Sequence, residues 1–228
     1  RLLELSWGDV GEQARRAASW LRSRELPQGS RIAIVSKNCA HWIVADLAIW
    51  MAGHVSVPLY PNLTADSMGQ VLEHSEAALA FVGKLDDWAS MAPGLPQGLP
   101  TVSLPLHPQG SFDYSWDDLQ HSAPIQDDPK PAANQLATII YTSGTTGTPK
   151  GVMHNFSNFG FAASNAIKLF GVGEDDRLIS YLPLCHVAER AFSTVMHMMT
   201  GGVVNYAESI DTVAANLREI APKVFLGV

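Results

Sequence analysis

The chain has 228 residues and a net charge of −7, with 46% hydrophobic and 16% charged residues, a balance that predicts a globular protein with a substantial core and excludes extensive disorder. An acidic chain lacks the basic face that a general nucleic-acid binder needs, so we expect no nucleic-acid partner. The two cysteines, Cys39 and Cys185, are too few and too far apart for a disulfide framework or a paired metal-ligand motif.

The first 82 residues alternate between helical and strand patterns. Apolar residues at helical spacing, with suitable caps, predict helices over residues 7–24, 39–51 and 64–73. Short apolar runs predict strands over residues 31–35, 55–59 and 78–82. This alternation predicts an α/β fold in which helices cover the faces of a mostly parallel β-sheet.

Two irregular stretches follow before the alternation resumes. Residues 83–110 are rich in Gly and Pro and predict a long irregular excursion, followed by a short capped helix over 115–120. Prolines in 122–135 predict a connector between a first subdomain, 1–121, and a second portion, 136–228. Beyond it we expect strands over 136–141, 152–154, 178–181, 203–206 and 224–228, and helices over 157–170, 188–200 and 212–220.

The most informative segment directly follows the apolar strand that ends at Tyr141. Its glycines allow backbone N–H groups to approach an anion, its hydroxyls add donors, and its lysine adds a positive charge. We predict that this segment grips a polyphosphate, through Ser143, Gly144, Thr145, Thr146, Gly147, Thr148 and Lys150. The spacing differs from the Walker loop because Gly151, and not Ser or Thr, follows Lys150. A flexible Gly/Thr/Ser connector is the alternative, although a connector does not need a lysine between Pro149 and Gly151.

This segment closely resembles the phosphate-binding signature of the adenylate-forming superfamily. A second block, residues 181–190, with the sequence Tyr-Leu-Pro-Leu-Cys-His-Val-Ala-Glu-Arg, is similar to the next motif of the long-chain acyl-CoA synthetases. Residues 57–64, 74–77 and 224–228 also resemble blocks of that branch. The resemblance spans nearly the whole chain and implies the amino-terminal part of a large nucleotide-binding domain.

The resemblance implies a two-step reaction. A carboxylate joins the α-phosphate of ATP with release of pyrophosphate, and the acyl group then passes from AMP to coenzyme A. The residues from Ser143 to Lys150 would hold the terminal phosphates, with Lys150 as a catalytic residue, and Thr142 would join them and reach Mg²⁺. We expect fatty acid, ATP and coenzyme A as substrates, with the rest of the enzyme supplied by sequence beyond residue 228.

By the same resemblance, His186 lies beside the acyl carboxylate and acts in catalysis, and Glu189 is a second acyl-site candidate. His186 has two alternatives: a packed loop histidine, or a zinc ligand together with Cys185. Glu189 has the alternative of favouring a helix dipole, and Arg190 that of a supporting role. Four further residues at helical spacing are interpreted as core: Trp42, Trp50, Met196 and Met199.

Several readings stay open for the parent protein. Within the superfamily the rivals are an aryl or medium-chain acid ligase and an amino-acid adenylation domain. Outside it they are a non-catalytic nucleotide-binding or interaction module and a phosphotransferase. We expect a cytoplasmic setting, with peripheral membrane attachment of the parent left open, because no apolar run reaches roughly 20 residues and no signal-peptide pattern begins the chain. An exposed cut surface would favour homo-oligomers.

Overall fold

The computed structural model describes residues 3–142 and 149–227, which form an α/β structure. The helices are Trp7–Arg22 (α1), Ala40–Met51 (α2), Ala65–His74 (α3), Trp88–Met91 (α4), Trp116–Gln120 (α5), Phe156–Phe170 (α6), Val187–Glu189 (α7), Met196–Thr200 (α8) and Val213–Ile220 (α9). The strands are Arg31–Val35 (β1), Val55–Leu59 (β2), Ala77–Val82 (β3), Thr101–Ser103 (β4), Tyr114–Ser115 (β5), Leu136–Thr142 (β6), Lys150–Asn155 (β7), Arg177–Ser180 (β8) and Val203–Tyr206 (β9). A π-helical segment, Arg190–Val195, lies between α7 and α8. Two 3-10 turns, Ala92–Gly94 and Ile210–Thr212, complete these elements.

Most strands belong to one seven-stranded sheet in the order β5-β4-β3-β1-β2-β6-β7. Every neighbouring pair in it is parallel except β6 and β7, which form an antiparallel hairpin. Strands β8 and β9 pair in parallel as a second sheet. The predicted α/β fold with a mostly parallel sheet is therefore confirmed.

The large sheet is buried on both faces because alternate residues of its central strands point to opposite sides. On one face, Ile32 and Ile34 of β1 pack with Phe81 of β3 against α1 and α2. On the other face, Ala33 and Val35 pack against α3 and α4. A third apolar cluster joins α6 to the π-helical segment and α8.

Local sequence signals place the helix ends. Ser6 and Asp9 form a reciprocal capping box that satisfies backbone donors at the start of α1. Helix α6 ends at Gly171, whose φ of 60° lies in the left-handed region that glycine adopts without a steric penalty. None of the helices within residues 3–142 and 149–227 is both long and apolar enough to cross a bilayer.

The predicted elements up to residue 82 agree with the structure within two residues, and strands 31–35 and 55–59 agree at both ends. The prediction that residues 83–110 are irregular was wrong, because α4, a 3-10 turn and β4 form there. Trp88 and Met91 of α4 are buried, and the Asp113 carboxylate accepts hydrogen bonds from the backbone and hydroxyl of Thr101 at 2.8 and 2.9 Å. These contacts order a Gly- and Pro-rich stretch that has no periodic pattern of its own.

Two predictions for the second half need correction. Residues 224–227 do not form the expected strand, because they pair with no strand in the part of the chain that the structure describes; Phe225 stacks on Tyr181 instead, with ring centroids 5.2 Å apart. Met199 is 51% exposed and not part of the core, because it lies in the last turn of α8, whereas Met196 is buried as predicted. The division at 122–135 stays a prediction, and the large sheet takes strands from both sides of it.

Ile34 tests how much the central sheet contributes to stability. Replacing this fully buried side chain by alanine is expected to lower the free energy of unfolding by about 2–5 kcal/mol, because it leaves a cavity between the sheet and its helices. Ile210→Ala is the matched control, since that isoleucine is 70% exposed and should change stability by less than about 0.5 kcal/mol. Equal effects of the two substitutions in urea titrations would contradict this packing.

Candidate functional site

The candidate site lies where parallel strands of the large sheet end. Strands β1, β2 and β6 run in the same direction, so their carboxyl ends lie along one edge. Loops at that edge of an open α/β sheet are the usual ligand-binding positions. Two segments singled out in the sequence reach this edge: the hairpin between β6 and β7, and the loop that contains His186.

Both strands of the hairpin are described up to the pair of Thr142 and Lys150, which we call the hairpin base. This pair is the last of the β6–β7 ladder before residues 143–148, and both of its members are exposed. The predicted phosphate-gripping residues Ser143, Gly144, Thr145, Thr146, Gly147 and Thr148 lie outside the described residues. The two described members of the predicted phosphate site are therefore close neighbours across one hairpin.

Gly151 leaves room for two side chains of the neighbouring strand. A Cβ atom at this position would lie 2.7 Å from Cγ2 of Ile139 and 3.2 Å from the ring of Tyr141. Any side chain at residue 151 would therefore displace Ile139 or Tyr141 next to Lys150. The glycine that follows the lysine thus has a packing role.

Tyr141 anchors this same face of β6 to α3. Its hydroxyl lies 2.7 Å from Nδ1 of His74 at the end of α3, and the two rings meet edge to face. Burial raises the pKa of Tyr141, so the phenol stays neutral and available for this hydrogen bond. Strand β6, which leads into the predicted phosphate loop, is therefore anchored to α3.

The loop before His186 is held by Asn38, which follows β1. Its amide nitrogen donates to the hydroxyl of Ser180 at 2.9 Å and to the carbonyl of Leu182 at 2.6 Å. Its carbonyl oxygen accepts from the backbone N–H of Leu184 at 3.0 Å. Asn38 thereby connects the end of β8 to the end of β1. This brings the His186 loop to the edge of the sheet at which β6 also ends.

His186 is the exposed residue at the start of α7. Its Nδ1 accepts a hydrogen bond of 3.3 Å from the backbone N–H of Ala188. With Nδ1 acting as acceptor, the ring proton is on Nε2, which can then donate to a carboxylate. Cys185 next to it is buried, and burial raises the pKa of its thiol to about 12.

Glu189 lies one turn further and is almost completely buried. Desolvation raises the pKa of its carboxyl to about 7, against hydrogen bonds from Ser180 and Ser193 that favour the charged form. Its Oε1 has no hydrogen-bond partner among the residues that the structure describes. The predicted acyl-site candidates thus differ in access: His186 is exposed, whereas Glu189 faces the interior.

Arg190 is completely buried, and its donors meet both carboxylate oxygens of Asp46 and two hydroxyl oxygens. Its Nε and Nη2 donate to Oδ2 of Asp46 at 2.9 and 2.6 Å. Nη1 donates to the Thr138 hydroxyl at 2.7 Å, and Nη2 also donates to the Ser56 hydroxyl at 2.8 Å. Burial raises the pKa of the Asp46 carboxyl, and the Arg190 cation opposes that shift.

Sequence reasoning missed the partners of Arg190 and the role of Asn38. Asp46 carried a usable signal, because it is a lone carboxylate in the otherwise apolar α2 and such a charge needs a partner when the helix is buried. Thr138 and Ser56 gave no signal, since hydroxyls are common in strands. The predicted core role is confirmed for Trp42, which is fully buried, whereas Trp50 is half-buried and packs against the core. Their ring centroids lie 5.4 and 4.9 Å from the Arg190 guanidinium carbon.

Metal binding has little support from protein ligands alone. Within residues 3–142 and 149–227, no three His, Cys, Asp or Glu side chains come together as a metal site. Thr142 would offer a single hydroxyl. A magnesium ion at this edge would therefore be held mainly by water and ligand phosphates, which is its usual coordination beside a nucleotide.

A surface pocket of about 380 Å³ lies elsewhere, beside the predicted connector. Arg22, Gly53 and Pro129 are among its lining residues, whereas Thr142, Lys150 and His186 are not. The chemistry-bearing residues are therefore on the open sheet edge and not in this pocket.

Comparison with known proteins gives a consistent result. A model of the family described as AMP-binding enzyme matches residues 3–228. The chain is 30% identical to long chain acyl-CoA synthetase 5 of Arabidopsis thaliana over 91% of its length, and 31% identical to the long-chain-fatty-acid–CoA ligase FadD15 of Mycobacterium tuberculosis over 100% of it. These matches cover 34% and 40% of the two relatives, so the chain spans well under half their length.

Among solved structures, a Rhodopseudomonas palustris protein assigned as a long-chain-fatty-acid CoA ligase superposes with a TM-score of 0.81 at 26% identity. The superposition covers 96% of this chain and 54% of that one. The sheet order and the hairpin thus belong to an architecture already seen in crystals.

The buried carboxyl of Glu189 predicts a specific dependence of stability on pH. The folded chain keeps the proton of Glu189 up to pH of about 7, whereas the unfolded chain releases it near the usual pKa of 4.5. Folding therefore takes up a proton between these values, so the contribution of Glu189 to stability is fully present below pH 4.5 and is lost as the pH rises to about 7. Each pH unit in this window costs at most about 1.4 kcal/mol.

Glu189→Gln removes this titration while keeping the shape of the side chain. The free energy of unfolding of the variant, relative to that of the wild type, is expected to increase by about 1–3 kcal/mol between pH 5 and pH 7.5. Urea titrations at several pH values measure the difference, and Glu208→Gln is the exposed control that should show no such trend. A difference that does not change with pH would contradict the buried, neutral state of Glu189.

Proposed function

Because the chain belongs to the AMP-binding enzyme family, we propose that it is the amino-terminal part of an AMP-forming ligase that joins a long-chain fatty acid to coenzyme A. Support for the acyl-CoA ligase class comes from the names of both relatives. The observation that carries the proposal is the meeting of two loops at one sheet edge. The hairpin base of Thr142 and Lys150 and the His186 loop reach the same carboxyl edge of β1, β2 and β6.

This arrangement suits an attack of a carboxylate on a nucleotide phosphate. A carboxylate oxygen would form a bond to the α-phosphorus of ATP while the bond from that phosphorus to the bridging oxygen breaks, which releases pyrophosphate. Both reactants are anionic, so fixed donors and cations are needed to stabilise the accumulated charge. In a second step the coenzyme A thiol would attack the acyl carbonyl, lose its proton and release AMP.

We assign the residues to this reaction as follows. Lys150 and the loop Ser143 to Thr148 would hold the β- and γ-phosphates, and Nε2 of His186 would donate to the acid. Mg²⁺ bound with ATP would neutralise phosphate charge, with Thr142 as the hydroxyl available to it. Glu189 lies under the loop, so its effect on the acid would pass through His186 and α7.

The substrate class can be tested on the full-length protein that contains these residues. We expect acid-dependent exchange of pyrophosphate into ATP with palmitate, and less with octanoate, benzoate or amino acids. Exchange with none of the fatty acids would reject the long-chain assignment, and exchange with benzoate alone would support the aryl rival. ADP in place of AMP as product would indicate a phosphotransferase.

Lys150 tests the phosphate site separately. Lys150→Ala in the full-length protein is expected to slow adenylation by about 10²- to 10³-fold, the scale for loss of one preorganised donor. Lys168→Ala, an exposed lysine at the end of α6, is the control and should leave the rate unchanged. An unchanged rate in Lys150→Ala would remove this lysine from the mechanism.

The exposed outer strand of the hairpin is the structural feature that bears on the predicted self-association. Val152 and Met153 of β7 are 44% and 70% exposed on the outer strand of the large sheet. Exposed apolar edges favour pairing with another chain or with further sequence of the same protein. We propose that the remaining sequence of the ligase covers this edge, and that the 228 residues alone form homo-oligomers.

A further inference from the structure

A buried cation connects the two loops of the proposed site. We propose that Arg190 is a positioning residue that keeps the His186 loop and the β6–β7 hairpin at a fixed separation. The assignment of the two loops to a catalytic site rests on the proposed function, whereas the physical connection between them through Arg190 does not. Arg190 bonds to β6 at Thr138 and directly follows α7, so it would act through Thr138 on one side and α7 on the other.

The first step is the high cost of this arrangement. Arg190 and Asp46 are 0% and 1% exposed, so both charges have lost their water. Replacing such a pair by apolar residues is often neutral or stabilising, which makes stability a poor explanation for a buried ion pair. The alternative explanation is that the pair fixes the positions of the elements that it joins, and the contacts of Arg190 support this.

Hydrogen bonds and aromatic rings together hold the guanidinium group of Arg190 in one position. It bonds to three elements at once: α2 through Asp46, β2 through Ser56 and β6 through Thr138. Three aromatic rings surround it, with centroids 4.9 to 5.4 Å from its central carbon: Trp42, Trp50 and Phe159. A planar fork with several donors fits this environment, whereas the single ammonium of a lysine would leave acceptors unpaired.

The second step is the geometry toward the hairpin. Thr138 and Thr142 lie four residues apart on β6, so their side chains face the same side of the sheet. At ~3.3 Å per residue the two are about 13 Å apart along the strand. The side of β6 that Arg190 holds is therefore the side from which Thr142 projects at the site.

The third step is the geometry toward His186. Arg190 follows His186 by four residues, which is about one helical turn or ~6 Å. At its other end the loop is fixed by Asn38, which bonds to Leu182 and Leu184. The exposed His186 thus lies between two anchors, one on each side in sequence.

The helix itself departs from regular geometry at this residue. The π-helical segment begins at Arg190 and continues to Val195. A π turn adds a residue relative to an α turn, so it changes the direction in which preceding side chains point by ~100°. Such turns are frequent at functional sites. The turn from His186 to Arg190 is α-helical, since the backbone N–H of Arg190 donates to the His186 carbonyl at 3.1 Å, and the π-helical segment follows it. His186 has the extended backbone of an N-cap residue and stays at the surface, whereas Arg190 reaches into the core.

Thr138 offers the sharpest test because its hydroxyl is the bond between Arg190 and β6. Thr138→Val keeps the shape but removes that hydroxyl, which also donates to the Ser56 carbonyl at 2.8 Å, whereas Thr138→Ser keeps both bonds. Because the bond to Ser56 joins only β2 and β6, an effect that also reaches the His186 loop is the one assigned to Arg190. In the full-length enzyme we expect Thr138→Val to lower kcat of palmitate-dependent pyrophosphate exchange by about tenfold, with KM for ATP within about threefold, because the groups are displaced after binding. Thr138→Ser should stay within about threefold of the wild type.

Thr194→Val is the matched control for loss of a buried hydroxyl. Thr194 is 2% exposed, and its hydroxyl has no hydrogen-bond partner among the described residues. We expect kcat to be unchanged in this variant. If Thr138→Val is folded at the assay temperature and has the kcat of the wild type, Arg190 is only structural and the proposal is overturned.

A second measurement does not depend on catalysis. Amide hydrogen exchange in the same enzymes is expected to show that residues 136–142 and 182–190 lose protection together, by about tenfold, in Thr138→Val but not in Thr138→Ser. Residues 77–82 of the central sheet should not change. Loss confined to 136–142 would show that Arg190 does not connect the two loops, and would overturn the proposal.

Two outcomes separate this proposal from the proposed function. If the wild-type enzyme shows no acid-dependent exchange, the function fails, and hydrogen exchange alone decides the connection. If Thr138→Val does not fold, the pair can be removed as Asp46→Leu with Arg190→Met, which leaves no unpaired buried charge. This double variant is expected to fold and to show the same tenfold loss of kcat and the same joint loss of protection; a folded double variant without them refutes the proposal.

Discussion

The buried ion pair between Arg190 and Asp46 is the contact on which the arrangement of the second half of the chain depends. Arg190 lies 144 residues after Asp46, and its guanidinium ties α2 and two strands of the large sheet to the helical segment that follows the His186 loop. A charge in the interior is tolerated only when its hydrogen bonds are made, so each partner has a required position. The helical segment cannot slide along the sheet without leaving Arg190 unpaired.

The candidate site is formed where the carboxyl ends of several strands lie along one edge of the sheet. Parallel pairing of β1, β2 and β6 brings their carboxyl ends together, and Asn38 adds the end of β8 to the same place. This explains how residues 142 and 186, far apart in the sequence, come to the same edge of the sheet. Gly151 and Tyr141 contribute to the packing of the hairpin, the first by leaving room for Ile139 and Tyr141 and the second by its contact with His74. In the proposed function, anion binding at this edge would depend on backbone donors and Lys150, which would let an acidic chain accept a nucleotide.

The polar residues under the His186 loop have different electrostatic states. Asp46 is paired with a cation, whereas Glu189, one residue before that cation, has an oxygen without a partner in the described part of the chain and a pKa raised to about 7 by burial. A neutral carboxyl is compatible with the interior, and a charged one is not without a partner. The loop therefore rests on one group that is charged with a partner and one that is kept protonated below neutral pH.

The sequence by itself determined the α/β class, most helix and strand positions, and the family resemblance of the loop after Tyr141, because these depend on local periodicity, caps and short motifs. It also singled out His186, Lys150 and Glu189 as site candidates, but not that His186 is exposed while Glu189 is buried, since exposure depends on how α7 packs against the rest of the fold. Only the tertiary structure brought together Arg190 with Asp46 and Thr138, and Asn38 with Leu184. Local patterns cannot specify such pairs, because the partners are separated by 52 to 146 residues and are selected by sheet order and by the cost of an unpaired buried polar group.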